Sequence, residues 1–525
     1  MNPLACASRL ATARVLLALT TALILPARAA ESFEAAWSQG SPARLSLSAA
    51  FTPADVDRNM PLSVYVAALL PDGRWYARTA SGWQPANPAT LAPWRTQVLA
   101  AGRVVVKLLD QEDVRAFGGT AIYLGYGRED AADPLLDLLQ GQKYQQVHQL
   151  SGNASAPQFQ LGASVPACPA DPDTPVLGTL PLAPEEFLAF RPLGFQSIPI
   201  HLLPAKHSAF SMTRPGQTPQ PRSLRAPAAG RVTEIYEASF SRSGARNYQV
   251  FMHPCRELRL YFGHLNALAP RLQQAFAAAA PRCNSFDSGD GGTTTTCRRE
   301  GLELDLLEGE VFGSGPDSAG VDFGALDTRL PPAAFVQPAH YDAYYRYYAA
   351  PSNYFQAAPR ALLEAKTGSV FGSTLRSLAP LGGSYMQDLP GSAQGNWFPA
   401  GRSMANSTDQ SAFLSLVHDH VDPSRPMLAV GNGVAGLPLG LYSYEPGAAP
   451  QHNPDPSRIR PGQAACIDSF TTRSASDVPL SQAPFGALLL ALPDALHLQL
   501  QWLPGVRCGD VASWSPGTQA ARFER

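Results

Sequence analysis

The chain has 525 residues, 45% of them hydrophobic and 16% charged, with a formal net charge of −2 at pH 7. That length exceeds one ordinary domain and points to about three. The near-zero charge gives no electrostatic reason to expect a nucleic acid or an anionic surface as partner. The 49 prolines and 43 glycines favour short strands and many turns over long helices.

The first 29 residues have the layout of a signal peptide. Arg9 and Arg14 supply positive charge, and Val15 to Leu25 form an apolar run too short to span a bilayer. Pro26 breaks the run, and Ala27-Arg28-Ala29 is an A-x-A cleavage site. The other reading is an uncleaved anchor. No later stretch reaches about 18 uninterrupted apolar residues, so no transmembrane segment is expected after the signal is removed. The expected location is secreted or periplasmic. Cleavage removes Cys6 and leaves Cys168, Cys255, Cys283, Cys297, Cys466 and Cys508. An even number in an exported chain predicts disulfides. Sequence leaves the connectivity open; the expected pairs are Cys283–Cys297 across a polar loop, Cys466–Cys508 in the C-terminal region, and Cys168–Cys255 by elimination.

Residues 31–155 read as a small β-sandwich. Alternating apolar residues mark strands at Arg44–Phe51, Leu62–Leu70, Arg103–Leu109 and Ala121–Tyr126. Pro71-Asp72-Gly73 followed by Arg74-Trp75-Tyr76 signals a hairpin. Trp75, Tyr76 and Trp83 are either hairpin packing or an exposed platform for stacking sugars. Asp133–Gln149 is predicted as a closing helix with Leu135, Leu136, Leu138 and Leu139 on its apolar face. Residues 156–188, rich in proline, are predicted to be an extended linker.

Residues 189–334 hold the most informative motifs. His201 and His207 flank Pro204. Leu224-Arg-Ala-Pro-Ala-Ala-Gly-Arg-Val232 is a Pro/Gly turn entering a strand, and Tyr261-Phe-Gly-His-Leu265 ends another. Gly309-Glu-Val-Phe-Gly-Ser-Gly315 and Gly320-Val-Asp-Phe323 follow. In order and spacing these blocks resemble the lysostaphin/LytM-type zinc peptidases, the duplicated-hybrid-motif fold. The resemblance implies a β-domain with a zinc site made by an HxxxD motif and an HxHF motif. His207 matches the first ligand, and His264 matches a catalytic histidine. Ser211 stands where the family has its aspartate ligand, Gly320 where it has a second catalytic histidine, and Asp322 where it has its last histidine ligand. A divergent branch of the family writes HxxPxxHxxF and LDFG, closer to this chain.

A catalytic zinc needs three protein ligands and an open position. Two alternatives follow. His201 joins His207 and Asp322 in a two-His-one-carboxylate set, with His264 free to move protons. Otherwise His201 is a strand-end residue hydrogen-bonded to backbone, and His264 is a relic that packs in the groove. Three weaker carboxylate or metal candidates are an Asp322/Asp327 acid–base pair, calcium at Asp287 and Asp290 in the Asn284–Thr296 loop, and His418, His420 and Asp422 on one strand face.

Residues 335–525 read as a second β-rich domain with short helices, able to close into a barrel and stapled by Cys466–Cys508. Tyr341, Tyr344, Tyr345 and Tyr348 fall at helical spacing, and Pro359–Lys366 reads as a helix. Gln394, Asn396 and Trp397 sit in a Gly-bounded loop that either meets a ligand or caps the barrel. The expectation is therefore a mostly β, exported cell-envelope protein. Its peptidase-like groove binds peptidoglycan or peptide, or another envelope protein, without cleavage. The alternatives are a variant zinc metalloendopeptidase acting on cell-wall peptides, and a carbohydrate- or protein-binding module with a structural centre.

Overall fold

The computed structural model describes residues 30–161, 164–198, 201–287, 292–316, 320–407, 409–447, 449, 451–473 and 483–525. The expected signal peptide, 1–29, and Asp290 of the candidate calcium loop lie outside them. The fold is mostly β.

The N-terminal part is a sandwich of two antiparallel sheets. In Leu45–Thr52 every second residue is buried, because successive side chains of a strand point to opposite faces. It pairs with Ser32–Phe33, Trp37–Gln39 and Val104–Glu112. The second sheet runs Tyr144–Gln149, Ala121–Arg128, Pro61–Leu69, Trp75–Thr79, Gly82–Ala86. Leu47, Phe51 and Val106 of one sheet meet Val64, Val66 and Leu124 of the other. The hairpin turn places Gly73 at φ +87°, a conformation glycine adopts without steric cost. Trp75 packs on Tyr123 rather than standing free, with ring centroids 5.4 Å apart. The expected closing helix is shorter than predicted. Pro134–Gln140 is helical, capped by Asp133, and Tyr144–Gln149 is a strand. Only Leu135 and Leu138 turn inward.

The Pro-rich stretch is extended but is no free spacer. Leu177, Leu180, Leu182 and Phe187 are buried in the central core, and Cys168–Cys255 ties the segment to the central sheet. That sheet is antiparallel, in the order Ala189–Arg191, Ser208–Ser211, Gly320–Asp327, Leu258–Leu265, Arg246–Cys255, Gly230–Phe240, Thr293–Leu306, Arg282–Asp287. Of the Asn284–Thr296 stretch, residues 284–287 and 293–296 lie on the last two strands, which pair antiparallel and are joined by Cys283–Cys297. The short strand Tyr348–Ala349 also pairs with Gly320–Asp327, and Tyr354, Phe355 and Leu363 complete the central core.

The C-terminal sheet has nine strands, from Gln463–Ile467 at one edge to Thr471–Arg473 at the other. Among the described residues those edges do not pair, so the sheet is curled rather than closed. Cys466–Cys508 is buried beside it. The predicted tyrosine helix is two 3₁₀ turns, Pro338–His340 and Tyr345–Tyr347. Tyr341 and Tyr345 pack with Phe335 and Tyr385 in a core of their own. The helix expected at Pro359–Lys366 runs Ala357–Glu364. Among the described residues no helix is long and apolar enough to cross a membrane.

Candidate functional site

Register brings the predicted residues together. Ala209 and Gly263 are both backbone partners of Asp322, on either side of the strand Gly320–Asp327. His207 precedes Ser208–Ser211, and His264 follows Gly263. A histidine therefore flanks Asp322 from each neighbouring strand. His207 Nδ1 lies 3.5 Å from Asp322 Oδ1, and His264 Nε2 lies 3.5 Å from Asp322 Oδ2. Gly324 leaves the space taken by the Tyr261 ring, since a Cβ there would lie 1.9 Å from Tyr261 Cε1. That ring packs edge-on against His207, centroids 5.9 Å apart.

His201 comes from outside the sheet. It sits on the segment between the central and C-terminal units. That segment is held by Leu202 in a small core with Val417, Met427, Ala429 and Leu441. Ser415 Oγ donates to the Leu202 carbonyl at 2.7 Å, and Gln196 Nε2 donates to Ser415 Oγ at 2.6 Å. The result places His201 Nε2 3.3 Å from His207 Nε2. His207 Nδ1 lies 3.1 Å from the Ser208 carbonyl, which assigns the proton of His207 to Nδ1. His207 Nε2 is then an acceptor, and His201 donates to it.

Burial, then repulsion from His207, pushes the His201 imidazole down to about 3. Burial also lowers His207, with Asp322 opposing. Both rings are therefore neutral at pH 7. Burial alone would raise the Asp322 carboxyl, but His207, His264, His201 and Arg191 outweigh it and hold it below the usual range. Arg191 and Phe195 are contributors that sequence motifs did not signal. The Arg191 guanidinium lies 3.8 Å from the Phe195 ring centroid, and Phe195 packs against His201, His207 and His420. The only trace of this in sequence is that both residues belong to the Arg191-Pro-Leu-Gly-Phe195 run.

The donor set can be tested against zinc. Two bonds of about 2.05 Å at the tetrahedral angle hold nitrogens about 3.3 Å apart, so His201 and His207 span one edge of a tetrahedron. Asp322 does not supply the third corner, because it faces the Nδ1 edge of His207 while the metal would lie beyond Nε2. Among the described residues, one group of three His, Cys, Asp or Glu has donor atoms all within 4.8 Å of one another. It is His452, Asp468 and Cys508, and Cys508 is spent in its disulfide. Among the described residues, as placed, no third histidine or carboxylate donor joins His201 and His207 to complete a three-ligand zinc site.

The other positions that the motif resemblance singles out are closed as well. Ser211 is a buried backbone partner of Gly320. At Gly320 an added Cβ would lie 2.3 Å from the Phe210 carbonyl oxygen, so no side chain fits this close crossing. His264 is the solvent-facing member, its side chain 42% exposed, and it holds φ at +61°. Such a conformation is uncommon outside glycine, though histidine tolerates it better than most residues.

The secondary candidates disperse. Asp327 is fully buried, held by Arg329 and by the Tyr354 hydroxyl at 2.9 Å, and it makes no pair with Asp322. His418 ends its strand and pairs with Asp455 at 2.9 Å. His420 turns toward Phe195, and Asp422 accepts from Ser424. Gln394, Asn396 and Trp397 are buried, with Trp397 Nε1 donating to the Ala393 carbonyl at 2.8 Å. The chain matches no protein-family model, no curated protein and no solved structure.

Proposed function

We infer that the central unit is a peptide-binding groove of lysostaphin/LytM type that does not hydrolyse its ligand, in an exported, secreted or periplasmic, cell-envelope protein. One observation carries this reading. His201 and His207 spend their facing nitrogens on each other, so the pair is satisfied without a metal. His264, with its side chain 42% exposed, is the member of the cluster that a ligand can reach, with Asp322 3.5 Å behind it. An imidazole beside a carboxylate offers a donor and an acceptor to a peptide amide. The three disulfides fit an oxidising compartment. The ligand proposed is peptidoglycan stem peptide, with an envelope protein as the other partner that would suit the groove.

A second reading, a variant zinc endopeptidase, is favoured by the 3.3 Å separation of the two Nε2 atoms alone. The deciding experiment measures metal content, cleavage and sedimentation with purified peptidoglycan on one preparation. The non-hydrolytic reading expects sub-stoichiometric zinc, no cleavage, and co-sedimentation lost in His264→Ala. Stoichiometric zinc, lost together with peptide cleavage in His207→Ala, would establish the peptidase instead.

A further inference from the structure

The N-terminal sandwich holds a cavity of about 260 Å³ that lies far from the histidines in sequence and is built from other elements. The rings of Tyr76, Trp83 and Phe117 and the aliphatic side chains of Leu109, Ile122 and Leu150 line it. Phe117 lines this apolar cavity and is nevertheless 46% exposed, a large apolar side chain left partly in water. Close packing is the rule inside proteins, and an apolar space of this size is ready to take a small ring.

Two polar groups give the cavity its direction. Thr120 lines it and is 2% exposed, and its hydroxyl has no hydrogen-bond partner among the described residues. A buried hydroxyl left unpaired is costly, and a ligand that reaches it removes the cost. Glu112 also lines the cavity. Its neighbour Asp113 is neutralised by Arg115, whereas Glu112 has no ion pair among the described residues. The guanidinium of Arg78, the nearby cation, donates to the carbonyls of Lys107 and Leu108. Arg78 acts on Glu112 through space, but with its N–H groups given to those carbonyls the carboxylate has no hydrogen-bonded cation among the described residues, and a carboxylate beside tryptophan and tyrosine faces is the chemistry that attracts an ammonium group. A sugar would need several convergent polar groups, and this cavity offers too few.

We propose that this cavity is a binding site for a small amphiphilic amine, an apolar ring carrying an ammonium group, with the ring between Tyr76, Trp83 and Phe117 and the cation at Glu112. The site is independent of the central groove, and so is its test.

The full-length protein is titrated calorimetrically with phenethylamine and, separately, with phenylacetate, which has the same ring and the opposite charge. Phenethylamine should bind saturably and about tenfold more tightly, from the summed cation–π and ion-pair contributions. Glu112→Gln should remove that preference. Thr120→Val should weaken phenethylamine binding several-fold. Ala68→Leu, which fills the cavity, should abolish both. Equal affinity for the two probes, or no saturable binding up to about 10 mM, overturns the proposal. Unchanged binding by an Ala68→Leu protein with native circular dichroism overturns it too. If Ala68→Leu does not fold, Glu112→Gln on the rim decides.

Discussion

His201 Nε2 faces His207 Nε2 at 3.3 Å, across a boundary between two separately packed cores. His207 is 4% exposed, and the half-buried His201 ring packs edge-on against Phe195 and His207. Changing His201 to alanine should therefore leave His207 Nε2 buried without a donor. The expected loss is about 1–3 kcal/mol in urea unfolding. Metal content should not move. A loss of bound zinc in this variant would show that the pair is a ligand set.

The buried histidines set an acid limit. Burial pushes His148 down to about 4 and His201 and His253 down to about 3. In the unfolded chain each takes up its proton near pH 6.5, so between that value and the depressed one the unfolded state binds more protons. Their stability is complete above about pH 6.5 and is lost as pH falls, on the order of 1.4 kcal/mol per pH unit for each. Melting temperatures followed downward from about pH 7 should drop steeply, and His253→Gln should lessen the slope.

His418 acts with the opposite sign. Burial opposes its charge, but Asp455 at 2.9 Å wins and raises it above 6.5. Its contribution is present below pH 6.5 and is lost as pH rises through the raised value. Asp455 also accepts from the Ser457 hydroxyl at 2.6 Å, and that oxygen accepts from the Phe33 amide of the N-terminal unit. His418→Gln should flatten the alkaline side of the stability profile. It should also loosen the contact between the first and last units, read by hydrogen exchange at Phe33.

Placing a histidine at Gly320, where the lysostaphin/LytM-type motif carries one, should fail structurally. A Cβ 2.3 Å from the Phe210 carbonyl forces two paired strands apart. Gly320→Ala should cost about 1–3 kcal/mol, the usual range for overpacking, and Gly320→His more. Chemical denaturation checks both. A Gly320→His protein of native stability would contradict the strand crossing described above.

His264 tests whether backbone strain is kept for function. At φ +61° a glycine is more comfortable than a histidine. His264→Gly should be neutral or more stable by up to about 1 kcal/mol, yet lose peptidoglycan binding. His264→Ala should lose binding without that gain. A glycine variant that binds normally would remove His264 from the site.

Much of the fold was legible in the sequence because strand period and turn chemistry are local. Leu45–Thr52 alternates on the page as it does in the sandwich, and Pro71-Asp72-Gly73 makes the turn it promised. An even set of cysteines also announces bridges. Within the central unit, the resemblance of its blocks to lysostaphin/LytM-type motifs singled out His207, His264 and Asp322, and strand register is what sets them 3.5 Å apart. Only tertiary structure decided the rest, because the interactions that did so join residues far apart in the chain. His201 reaches His207 through a core that the C-terminal sheet supplies. Gly320 is closed by a carbonyl of another strand. Trp397, Tyr341 and Tyr345, which read as a ligand face or a helical stripe, are buried by neighbours that periodicity cannot name. A sequence fixes which way a side chain leaves its own strand; which group it meets depends on the packing of distant elements.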